Sequence, residues 1–211
     1  MIGLAGGMTA AVLKQYGMEV EAVDVDPAAL DVARRWFAFD GAAVAADGRR
    51  YVETCARRYD VCVLDAYLGE GLPAHLATRE AFAAVRRALA PGGALVVNFI
   101  GAPGGDAFAA MYRTLNAVFP RLLAFRSEPG DDVQAITLFA SERPIEFAPL
   151  WRASAEDAGG VDPVRDELAR LAIPPPGRDA TVLSDDYNPL DHLRAREALA
   201  WRGKQVVGGR W

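Results

Sequence analysis

Over the first 140 residues, apolar positions gather in short runs separated by longer stretches of helical period. The runs EVEAVDV (19–25), AAVAA (42–46), YDVCVLDA (59–66) and GALVVNFI (93–100) predict strands. Helices are predicted over about 8–16, 27–38, 48–57, 78–90 and 104–118. In the fourth, Phe82, Val85 and Leu89 recur at i, i+3 and i+7, Thr78 stands at the cap, and Pro91-Gly92-Gly93 ends the pattern. Nearly continuous apolar strands alternating with helices imply a parallel sheet covered on both faces. LLAFRS (122–127) and VQAITLFAS (133–141), separated by EPGDD, predict an antiparallel hairpin that closes one edge.

Beyond residue 141 the pattern weakens. A short amphipathic helix is predicted over 162–172, and IPPPGRD (173–179) is too rich in proline for either element. After LSDDYNPLDHL a last helical piece runs to about 201. The expected division is a nucleoside-binding domain over 1–140 and a cover segment over 141–211 packed on it.

Composition narrows the function classes. A hydrophobic content of 52% over 211 residues suits a globular chain and excludes disorder. The formal net charge of −5 gives no reason to expect nucleic acid or an anionic membrane as partner. No apolar stretch approaches the roughly 18 residues that a membrane span needs. Cys55 and Cys62 lack metal-type spacing and read as reduced thiols, which points to the cytoplasm.

Candidate chemistry lies at the ends of the predicted strands. GLAGGMTAAVL (3–13) is a Gly-rich turn entering a helix, where backbone can approach a ligand and helix amides stand free. Only a stub of strand precedes this turn. About twenty residues on, VDVDP offers Asp24, placed to accept a ribose diol, and Asp26, placed to cap the helix that Pro27 opens. Asp47-Gly48 ends the third predicted strand and Asp65 the fourth. Acids at successive strand tips beside a Gly-rich turn line one crevice at the carboxyl edge of the sheet.

In order, Gly3 to Gly7, VDVDP, ADGRRYV, YDVCVLDAY…LPAHLATREAF, LAPGGALVVN and LSDDYNPLD resemble the spermidine synthase family. These polyamine aminopropyltransferases are built on the fold of S-adenosylmethionine-dependent methyltransferases. The resemblance covers roughly 2–140, returns at 183–191, and is closest to the bacterial spermidine-synthase-like branch. It implies a Rossmann-like doubly wound α/β sheet of about seven strands, mostly parallel with an antiparallel C-terminal hairpin. It also implies transfer from S-adenosylmethionine or decarboxylated S-adenosylmethionine to a small-molecule amine, in a cytoplasmic enzyme for which a homodimer is one assembly. By this resemblance Gly3, Gly6 and Gly7 hold the amino-acid-derived end of the donor, Asp24 the ribose, and Asp47 with Gly48 the adenine. Asp65 matches the first acid of the catalytic loop, and Leu68 stands where the second, the base, belongs.

Tyr67 and Glu70 follow Asp65 in that loop and are expected on the amine side. Asp185, Asp186 and Tyr187 either line the same side or serve as turn chemistry. Glu70, Asp185 and Asp186 are the candidates to replace the missing base. His75 reads as fixing its own turn rather than as a proton carrier. No metal site is expected. A methyltransferase and a nucleoside-binding protein without turnover are the alternatives.

Overall fold

The computed structural model describes residues 1–69, 71–145 and 163–207. In chain order the elements are α1 (Met8–Gln15), β1 (Glu21–Asp24), α2 (Pro27–Trp36), β2 (Ala42–Ala45), α3 (Gly48–Thr54), β3 (Tyr59–Leu64), α4 (Arg79–Ala88), β4 (Leu89–Gly101), α5 (Asp106–Asn116), β5 (Arg121–Arg126), β6 (Gln134–Ser141), α6 (Pro163–Leu171) and α7 (Leu190–Val207). Every predicted strand and helix is present. Local chemistry starts three of the helices: Asp26 caps α2 through the Ala28 amide (2.8 Å), Asp47 caps α3 through Arg50 (2.9 Å), and Thr78 caps α4 through Ala81 (3.1 Å).

β1 and β2 pair in parallel, β3 and β4 pair in parallel, and β6 runs antiparallel between β4 and β5. The two groups are joined by one residue. Ile2 bridges Val23 of β1 and Leu64 of β3, giving the spatial order β2-β1-Ile2-β3-β4-β6-β5. The described residues thus form six strands, and the place of an expected seventh is held by the Ile2 bridges.

Leu89, read as the end of a helix, instead opens β4. Tyr59 pairs with Leu89 and Val61 with Ala94, so Pro91–Gly93 bulges out inside the strand. Proline has no amide for the ladder, and a bulge accommodates it.

The larger core joins α3, α4 and α5 to β3, β4 and β6 around Phe82, Phe99, Phe108, Phe119, Leu95 and Leu138. A smaller core unites Leu4, Ala10, Ala22, Leu30, Ala33 and Phe39 under α1 and α2. Two separate cores are what a sheet with helices on both faces produces.

The segment before α7 is pinned into the larger core. Leu183 is fully buried, its amide donates to Thr114 Oγ1 (2.8 Å), and its carbonyl accepts from the Arg79 amide (2.8 Å). Glu197 of α7 accepts from the Ala107 amide (2.8 Å), capping α5, whose own N-cap residue is Gly105.

Candidate functional site

The carboxyl ends of β1, β2 and β3 and the glycine turn meet at one edge. The Gly3 amide donates to the Val23 carbonyl (2.8 Å), the Asp65 amide to the Ile2 carbonyl (2.9 Å), and the Ala46 amide to the Asp24 carbonyl (2.9 Å). These bonds carry the turn directly against the tips of β1 and β3. A Cβ on Gly3 would fall on the carbonyl of Asp65, and its φ of +87° lies in the left-handed region. The same turn places Gly7 at φ +75° and Ala5 at φ +45°. Gly6 and Gly7 lie under the rings of Phe37 and Phe39, and Gly48 lies against Ile2.

Three predicted acids stand along this edge, each half-buried. Asp24 Oδ2 accepts from the Leu4 amide (2.8 Å) and Oδ1 from the Asp26 amide (3.0 Å), so it also fixes the glycine turn. Asp47 accepts from the Arg50 amide and, through its second oxygen, contacts His75 Nε2 at 2.8 Å. Burial alone would raise the Asp47 carboxyl, but the Arg50 amide and His75 outweigh it and hold it below its ordinary value. Asp65 Oδ1 accepts from Asn98 Nδ2 (2.9 Å), a partner on β4 that lies 33 residues away in sequence.

The loop after Asp65 contains the remaining candidates. Tyr67 donates its hydroxyl to the Asn98 carbonyl (3.2 Å). Burial, followed by the charge of Asp65, pushes its phenol up to about 12, with Arg194 opposing. Leu68 is 79% exposed, and its amide donates to the Gly71 carbonyl (2.8 Å). Glu70 lies outside the described residues.

The DDY cluster forms the corner of a tight turn. The Ser184 amide donates to the Tyr187 carbonyl (3.0 Å) and the Tyr187 amide to Ser184 Oγ (3.2 Å), while Asp186 and Tyr187 are exposed. Both oxygens of Asp185 are engaged by Arg49, at 2.7 and 2.5 Å. The Arg49 guanidinium holds the Asp185 carboxyl below its ordinary value. Arg49 has no local sequence signal for this contact, because its partner lies 136 residues away.

Around the loop these contacts form a strap. His75 reaches Asp47 at the start of α3, Arg49 reaches the His75 carbonyl (3.3 Å), and Asn188 Nδ2 donates to the Ala74 carbonyl (2.7 Å). A cavity of about 450 Å³ lined by Met1, Glu19, Glu21, Tyr59 and Asp60 lies elsewhere and includes none of the candidate residues. Among the described residues no cluster of His, Cys, Asp or Glu could hold a metal, and no helix is long and apolar enough to cross a membrane.

A sheet parallel through β2, β1, β3 and β4 and closed by antiparallel β6, with a glycine turn and acids at its carboxyl edge, defines a Rossmann-like fold of the methyltransferase type. A family model described as a methyltransferase domain matches residues 1–97. A polyamine aminopropyltransferase from Vibrio vulnificus is 32% identical over 209 residues, covering 92% of this chain and 69% of its own. On that relationship, the chain belongs to the polyamine aminopropyltransferase family. A probable polyamine aminopropyl transferase from Bifidobacterium longum is 26% identical over 92% of this chain, which spans only 48% of that relative's length. A solved probable spermidine synthase from Corynebacterium glutamicum superposes with a TM-score of 0.62 at 22% identity, covering 84% of this chain and 71% of its own.

Proposed function

We propose that the chain transfers an aminopropyl group from decarboxylated S-adenosylmethionine to a small amine. The observation that carries this reading is the row Asp24, Asp47 and Asp65 at one sheet edge, tied by backbone to the glycine turn. Family membership supports the chemistry, and the order of the row supports the assignment of parts.

In this reading the amides around Gly3, Gly6 and Gly7 hold the tail of the donor. Asp24 takes the ribose hydroxyls while keeping its bond to Leu4, which a carboxylate with about four acceptor positions allows. Asp47 takes the adenine amine, and buried Gly48 packs against Ile2 beneath it. The donor supplies the sulfonium leaving group, so the chain has only to place the acceptor nitrogen and receive its proton. An alkylammonium has an ordinary pKa near 10, so attack needs a proton acceptor close by. Asp65 is that acceptor, since Leu68 is apolar and points to solvent. The new C–N bond forms as the C–S bond breaks, and the amine proton passes to the Asp65 carboxylate. Tyr67 borders the acceptor. Asp185 is committed to Arg49 and acts as a strap, with Asp186 and Tyr187 at its surface.

Methyl transfer is the second reading, favoured by the methyltransferase-domain match and by the leucine at position 68. Both readings share the nucleoside pocket, which calorimetry tests. Replacing Asp24 by Asn keeps an acceptor for the Leu4 amide and removes the charge. Affinity for methylthioadenosine or S-adenosylhomocysteine is expected to fall about 10- to 100-fold, as loss of a charged hydrogen bond requires. Unchanged affinity for both nucleosides would remove Asp24 from the pocket.

A further inference from the structure

We propose that Asn98 is a positioning residue for Asp65, locking the carboxylate that receives the acceptor's proton; the inference rests on the transferase reading above. Asn98 is anomalous where it stands. It interrupts the apolar run Ala94–Ile100 in the middle of a strand, a setting in which asparagine is disfavoured. Its backbone pairs with Thr137 of β6, while the ladder to β3 ends one residue earlier at Leu64 and Val97. The side chain therefore projects just past the end of the β3 ladder, where Asp65 leaves the strand.

From that anchor Asn98 makes two contacts to the same loop. Nδ2 donates to Asp65 Oδ1 (2.9 Å), and its carbonyl accepts the Tyr67 hydroxyl (3.2 Å). Asp65 follows β3 directly, ahead of the turn closed by Leu68 and Gly71. A strand-tip carboxylate has free rotation about χ1 unless something holds it. Asn98 supplies a neutral donor, which fixes one oxygen without neutralising the charge that an incoming ammonium needs. A lysine or arginine there would hold Asp65 as firmly and repel the amine. With Leu68 in place of a second acid, this one oriented carboxylate has to both attract the amine and take its proton. That makes its orientation more critical than in a site with two acids. A displacement of about 1 Å at such a group can cost on the order of 100-fold in rate.

Two measurements on the full chain test the assignment. Three-bond couplings to the Asp65 carboxyl carbon report its χ1 distribution whether or not the protein turns over. The wild type is expected to show one rotamer and Asn98→Leu, close in volume, an averaged set. Asn98→Ala guards against a packing defect and is expected to average likewise, while Asn98→Gln, which keeps the amide donor, restores a dominant rotamer. In parallel, Asn98→Leu is expected to lower kcat about 10- to 100-fold with little change in KM for the sulfonium donor, and Asn98→Gln to recover part of the loss. A single unchanged Asp65 rotamer in both Asn98→Leu and Asn98→Ala would overturn the proposal, as would an averaged rotamer with undiminished kcat. Absence of turnover in the wild type with every sulfonium donor would instead overturn the transferase reading, and the couplings would still decide whether Asn98 positions Asp65.

Discussion

Gly3 concentrates the constraint on the nucleoside edge into one residue. Its φ of +87° already excludes most side chains, and any Cβ would meet the Asp65 carbonyl. Gly3→Ala is therefore expected to destabilise by about 1–3 kcal/mol from the backbone alone. For a chain of this size that lowers Tm by roughly 2–10 °C in calorimetry; an unchanged Tm would mean that the turn and β3 tip are not in contact. Ala5 adopts φ +45° in the same turn, so the missing glycine of a strict G-x-G-x-G pattern is replaced by strain. This part of the site was legible in the sequence because a glycine turn and the acids after it carry their signal locally. Asn98 was not, since its meaning comes from Asp65, 33 residues away. The leucine at 68 was visible as a departure, and its exposure shows that nothing in the fold compels an apolar residue there.

Among the elements, helix starts divide by the distance of their caps. Asp26, Asp47 and Thr78 cap the helix that follows them, so the starts of α2, α3 and α4 were readable, whereas their ends fall earlier than the periodicity predicts. The cap of α5 is Glu197, 90 residues downstream, and no local pattern announces it. The LSDDYNPLD segment shows the same division. Its turn chemistry was plain, whereas its anchorage through Thr114 and Arg49 depends on packing. Thr114→Val removes the acceptor of the buried Leu183 amide at nearly constant volume. About 1–3 kcal/mol of stability is expected to go with it, read as a fall in Tm of roughly 2–10 °C. The Arg49–Asp185 pair is worth less, about 1 kcal/mol or below, because its carboxylate side chain is 40% exposed. Its sign with pH is fixed: the Asp185 carboxyl is depressed in the folded chain, so the pair stabilises above the ordinary value of 3.8 and fades as pH falls through the folded value. Melting wild type and Arg49→Met side by side is expected to show a gap at pH 7 that closes as pH falls below 3.8 and through the folded value of Asp185. A constant gap would mean that the ion pair is not its source.

At the scale of the molecule, one residue, Ile2, joins two groups of strands into a sheet, and the glycine turn springs from that junction. A sheet covered on both faces, with a hairpin at one edge, followed from the alternating apolar runs, while the strand count did not, because a one-residue bridge has no periodicity to read. On the proposed function, this edge holds a sulfonium donor whose aminopropyl group passes to an amine with Asp65 taking the proton. The most direct test offers the purified chain decarboxylated S-adenosylmethionine with a panel of diamines and, separately, S-adenosylmethionine, and identifies the nucleoside released. Methylthioadenosine with an aminopropylated amine is the expected product, lost in Asp65→Asn. Release of S-adenosylhomocysteine alone, or no nucleoside product from either donor, would contradict the proposed function.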